Sequence, residues 1–155
     1  MNIKTTISLD SMRKFYRNDK KFTTVITRGA TAELLFDLNK FSYLLDYKDP
    51  FKYIDQITFL LQQGRSIYYF NVFDESKNLT PNCGFDQDDL YVSCLIPAID
   101  TRNFKLASED NPMQFEIVLK VNTENVLEQK LDSTIIEKQL PILVTDSIYS
   151  KIGGN

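Results

Sequence analysis

Along most of this chain, apolar and polar residues alternate one by one. Between residues 114 and 121, Phe115, Ile117, Leu119 and Val121 fall on one side of an extended segment. Gln114, Glu116 and Lys120 fall on the other, with Val118 among them. Successive side chains of a strand point to opposite faces, so this spacing makes one buried stripe, whereas a helix would scatter it. The pattern recurs at Ala32, Leu34, Phe36 and Leu38, at Ile57, Phe59 and Leu61, and at Leu90, Val92, Cys94 and Ile96. Residues 66–73 are rich in the aromatic and β-branched types that suit a pleated surface. Residues 23–27 and 135–144 predict further strands, the latter at an edge or bulge because Pro141 donates no ladder hydrogen bond.

The punctuation between these runs predicts how they connect. Gln62-Gln63-Gly64-Arg65 is a short glycine-containing link and predicts a hairpin. Residues 39–54 and 74–89 are polar, hold Pro50, Pro81 and Gly84, and predict long loops. Residues 122–131 fit a turn followed by a strand. Helical signals are few: Ser11 with Met12, Phe15 and Tyr16 fits a short capped helix, and residues 100–104 fit a single turn. The expected fold is all-β, an antiparallel sandwich of seven or eight strands, immunoglobulin-like or jelly-roll-like. Residues 1–21 form an N-terminal arm or a first strand, 22–149 the sandwich, and 150–155 a frayed end.

Composition narrows the chemistry. At 155 residues, with 43% hydrophobic and 25% charged residues, the chain suits one globular domain. The net charge of −3 gives no general attraction to nucleic acid. Basic residues nevertheless gather at Arg13, Lys14, Arg17, Lys20 and Lys21, a solvated loop or an arm suited to an acidic neighbour. No apolar run approaches the roughly 18 residues of a membrane span, and the start of the chain carries no apolar leader, so synthesis in a cytoplasm is expected.

The absence of histidine removes the commonest general base and every Ser-His or Cys-His pair. Asp74, Glu75, Asp86, Asp88 and Asp89 form acidic runs that could hold a hard cation, but they do not match a calcium loop and read as solvated loop ends. No cofactor or metal is expected, and no enzymatic activity. Cys94 reads as a small buried hydrophobe, Cys83 as a loop residue, and a bridge between them would need an oxidising environment. In the run Tyr68-Tyr69-Phe70 at least one ring must face away from a core, where it can anchor an interface or stack on a sugar. The candidate contact residues are Arg13, Lys14, Phe15, Tyr16, Arg17, Tyr68 and Phe70.

A family resemblance runs through residues 22–145. Arg28-Gly29-Ala30-Thr31 precedes a strand; Ile57-Thr58-Phe59 leads to Gln63-Gly64 in a hairpin; Leu90-Tyr91-Val92, Asp100-Thr101 and Gln114-Phe115-Glu116-Ile117 follow. This order resembles small tail and baseplate proteins of Gram-positive phages and prophages, in particular the N-terminal domain of upper baseplate proteins. The resemblance implies a β-sandwich that acts in assembly as a virion component. Its partners would be other tail, baseplate or fibre proteins and further copies of itself in a symmetric particle. A carbohydrate-binding sandwich is the alternative expectation.

Overall fold

The computed structural model describes residues 24–122 and 132–147. Nine strands lie within them: β1 (Thr24–Thr27), β2 (Ala32–Asp37), β3 (Ile54–Gln63), β4 (Ser66–Asn71), β5 (Cys83–Asp86), β6 (Tyr91–Ile96), β7 (Gln114–Asn122), β8 (Asp132–Lys138) and β9 (Ile142–Thr145). A short 3-10 helix spans Asn39–Leu44, and a one-turn helix, α1, spans Ala98–Thr101. The predicted residues 1–21 arm, with Arg13, Lys14, Phe15, Tyr16 and Arg17, lies outside the described residues, as does the 150–155 end. Among the described residues no helix is long and apolar enough to cross a membrane.

The fold is all-β, as the alternation predicts. Most of each predicted stripe is buried: Leu34, Phe36 and Leu38; Ile57, Phe59 and Leu61; Val92, Cys94 and Ile96; Phe115, Ile117, Leu119 and Val121. Ala32 and Leu90 are half-buried, and Leu90 lies in the turn before β6. Burying a side chain of this kind contributes about 1.5–3 kcal/mol, so these stripes dominate the folding free energy.

The chain divides into two compact units built from interleaved segments. One unit combines residues 33–95 and 116–138 and holds the sandwich. Its four-stranded sheet runs β4-β3-β7-β8 and its three-stranded sheet β2-β6-β5. The β3–β4, β5–β6 and β7–β8 pairs are antiparallel. The hairpin at Gly64 forms as expected, with φ at +57°, a conformation that glycine adopts without strain. Phe51 joins the two layers. Its ring packs edge-on against Phe73, which follows β4, at 4.8 Å, and against Phe85 of β5 at 4.6 Å. Beyond the end of β4 the Gln56 side chain extends the ladder: its amide donates to the Phe73 carbonyl and accepts the Phe73 N–H, both at 2.9 Å.

The other unit combines residues 24–32, 96–115 and 139–147. Here β1 and β9 pair in parallel, with Ile26 opposite Val144. The segments at Ala107 and Met113 bridge β9 at Val144 and Ile142, and Phe104, Ala107 and Met113 are buried, as are Ile26, Ile142 and Val144.

Three details differ from expectation. The described strands number nine in three sheets, because the predicted 135–144 strand breaks at Gln139-Leu140-Pro141 into β8 and β9 and because β5 is added. The β1–β9 pair, outside the unit that holds the antiparallel sandwich, is parallel. The predicted 74–89 loop contains β5, whose four residues pair along β6.

Candidate functional site

The edge of the four-stranded sheet formed by β4 differs from its opposite edge. In the β3–β4 register Phe59 faces Phe70 and Leu61 faces Tyr68, while Leu60 faces Tyr69 and Gln62 faces Ile67. Since Phe59 and Leu61 are buried, their partners Phe70 and Tyr68 take the core side and are half-buried. Of the expected contact residues, Tyr68 and Phe70 are thus the inward pair. The outward residues are Ile67, 61% exposed, and Tyr69, 66% exposed.

Main-chain geometry adds to this. Val72 donates its N–H to Ile57, which makes 57 and 72 a hydrogen-bonded pair. Bonded and non-bonded pairs alternate in an antiparallel ladder, so Ile67 and Tyr69 turn their N–H and C=O groups toward the open side of β4. A strand with an open edge is a template for pairing unless charge, proline or a bulge guards it. The β4 residues Ser-Ile-Tyr-Tyr-Phe-Asn contain neither charge nor proline.

The opposite edge, β8, is guarded. Glu137 lies opposite the buried Ile117, so it points inward from an edge strand, and it forms an ion pair with Lys40 on the 3-10 helix. An inward charge at an edge discourages strand addition. Outward on this side stand Val118, half-buried, and Ile136, 58% exposed, directly opposed in the β7–β8 register.

A second feature of the sandwich unit is a cleft of about 460 Å³ lined by Asp46, Tyr47, Pro50, Phe85, Asp88 and Leu90 among others. That volume lies in the range of small-molecule sites, about 300–1,000 Å³. Tyr47 stands at its rim, 90% exposed. Leu90 adopts a left-handed backbone at φ +59°, which is strained for a branched residue. The strained turn is held by the Leu38 N–H donating to the Leu90 carbonyl at 2.8 Å and the Asn39 side-chain amide donating to Asp89 O at 3.0 Å.

The opposite wall is held by Asp46, whose carboxylate accepts the N–H groups of Asp49 at 3.0 Å and Lys48 at 3.1 Å. These bonds, that of Asp49 foremost, hold its carboxyl below the usual 3.8. A depressed carboxylate supports its turn above its unfolded pKa and releases it as pH falls through the lower folded value. The turn therefore stays intact at the usual carboxylate value of 3.8 and loosens only as pH falls further, through the lower value of the folded carboxyl. Asp46→Ala is expected to speed hydrogen exchange at the Lys48 and Asp49 amides at neutral pH; unchanged protection there would show that the side chain does not hold this wall.

One carboxylate in each of the other acidic runs is engaged in the same way. Asp86 accepts from the N–H groups of Asp88 and Asp89, both at 3.0 Å, and Asp74 accepts from Ser76 at 2.9 Å and Asn78 at 3.0 Å. These carboxylates shape turns. No family model matches the sequence, and no curated protein matches it.

Proposed function

We propose that this chain is a non-enzymatic assembly domain whose β4 edge accepts an extended strand from another protein chain, and that it serves as a virion component of a phage tail or baseplate. The observation that carries the reading is the uncharged, proline-free edge at β4 with Ile67 and Tyr69 exposed on it. Strand addition draws affinity from main-chain hydrogen bonds and specificity from alternate side chains, which are what this edge presents. The tail or baseplate setting rests on the resemblance across residues 22–145. The partner is another structural protein of the particle or a further copy of this chain.

The test is incorporation. Mass spectrometry of purified phage particles is expected to find the chain. Lysines at both outward positions, Ile67→Lys and Tyr69→Lys, are expected to reduce its incorporation strongly. Interface anchors contribute about 2 kcal/mol or more each, roughly a 30-fold change in Kd. A chain absent from particles, and monomeric at high concentration, would overturn the reading.

The cleft favours a second reading, binding of a saccharide. Tyr47 offers a ring face, while Asp88 and Gln87 offer polar groups beside the apolar Phe85 and Leu90. A glycan array without hits, or hits that survive Tyr47→Ala, would dispose of it.

A further inference from the structure

Cys83 and Cys94 are 11 residues apart in sequence and directly opposed across β5 and β6. Leu95 donates its N–H to Asn82 at 2.8 Å, so 82 and 95 are a hydrogen-bonded pair. Alternation along the ladder makes 83 and 94 the neighbouring non-bonded pair, where Cα atoms approach to about 4.5 Å and side chains lie closest. The Cys83 N–H agrees: it donates to Thr80, away from β6, at 3.0 Å. A disulfide spans Cα separations of about 4.4–6.8 Å, so the strands need little movement to be bridged. Both thiols are free, Cys94 is buried, and Cys83 is half-exposed on the edge strand of its sheet.

From this placement we infer that Cys83 and Cys94 form a thiol–disulfide exchange site, oxidised by a small-molecule disulfide to a bridge across β5 and β6. Cys83 is the attacking thiol. Its pKa is lowered to about 7, first by a hydrogen bond from the Cys94 thiol, against the opposing effect of burial, and then by the Thr80 hydroxyl. The thiolate is the nucleophile, and a pKa near ambient pH suits attack.

The Cys83 thiolate attacks one sulfur of the small disulfide. That S–S bond breaks, one thiolate leaves and takes up a proton, and Cys83 carries the mixed disulfide. Cys94 then loses its proton to solvent and attacks the Cys83 sulfur, expelling the second small thiolate, which takes up a proton. Two electrons pass from the cysteine pair to the small disulfide, which ends as two thiols. The pKa of Cys94 is raised first by its hydrogen bond to Cys83, then by burial, then by the Cys83 charge. Formation of the mixed disulfide removes the first and third causes and frees Cys94 to react.

The full chain is incubated in a buffer of oxidised and reduced glutathione near neutral pH, quenched with an alkylating agent and weighed intact. The expected product has lost two hydrogens and carries no alkyl group, and a peptide map joins Cys83 to Cys94. Cys94→Ser is expected to stop at a glutathione adduct on Cys83. A folded Cys94→Ser chain without that adduct would refute the order of attack. Since Cys94 is buried, that variant can fail to fold, and the wild-type chain supplies an independent measurement. The bridge should form about tenfold faster in the folded chain than in urea, because only the fold lowers the Cys83 pKa and opposes the thiols. Both thiols remaining open to alkylation in mainly oxidised glutathione, or equal rates folded and unfolded, would overturn the inference.

Discussion

Phe59→Ala is expected to destabilise the sandwich unit by about 3–5 kcal/mol, a loss large enough to lower Tm by on the order of 10 °C. Phe59 lies at the centre of β3, is fully buried, and is flanked on the same face by the equally buried Ile57 and Leu61. Removing the ring forfeits its transfer free energy and leaves a cavity that neighbouring strands, held in register by their ladders, cannot collapse into. Phe59→Leu retains most of the volume and should lose about a third as much. One strand over, Tyr69→Ala removes an equally large ring from an exposed position and should change stability by less than about 0.5 kcal/mol. The pair separates folding from binding. If β4 is the docking edge, Tyr69→Ala impairs assembly in a chain of wild-type stability, whereas Phe59→Ala acts through loss of the fold. A urea midpoint for Phe59→Ala close to wild type would show that this stripe is not the core.

That stripe was legible in the sequence because period-two alternation states which residues share a face. It does not state which strand lies opposite, and this limit explains what alternation could not resolve. Tyr68, Tyr69 and Phe70 are interchangeable until β3 sets the register that sends Tyr69 outward. β5 is four residues long, too short to display a period, and is a strand only because β6 pairs with it. The Cys83–Cys94 juxtaposition is invisible for the same reason. Pro141 was legible as an edge or bulge within one strand but not as part of the break that separates β8 from β9 and leaves β9 to pair with β1 in parallel, since nothing local marks a partner more than 100 residues away. The cleft joins residues 42–50 to 85–90, and only the strained turn at Leu90 would have marked it, had any sequence signal revealed a left-handed leucine.

Thr101→Val should cost about 2–4 kcal/mol, although the two side chains have nearly the same shape. Thr101 is the sole buried polar residue among the described residues. Its hydroxyl donates to the Ala30 carbonyl at 2.8 Å and lies 3.2 Å from the Ala98 carbonyl within its own helix turn. It also accepts the Gly29 N–H at 3.1 Å. Gly29 has φ at +81° in a turn closed by the Ala30 N–H donating to Thr27 at 3.1 Å, a geometry that calls for glycine at its third position. Arg28 beside it donates its main-chain N–H to Thr145 at 2.8 Å and stands 3.5 Å from the Asp146 carboxylate. The Arg28-Gly29 and Asp100-Thr101 motifs, about 70 residues apart, are thus two halves of one hydrogen-bonded junction. Valine leaves the Gly29 N–H and the Ala30 carbonyl without their partner; both bonds are part-buried, so each loss falls at about 1–2 kcal/mol, the lower part of the cost of stranding a buried group. Thr101→Ser keeps the hydroxyl and loses one methyl, about 1 kcal/mol. Urea denaturation should therefore rank the wild type above serine and serine well above valine. A valine variant as stable as the serine variant would mean that packing, rather than this hydroxyl, holds the junction.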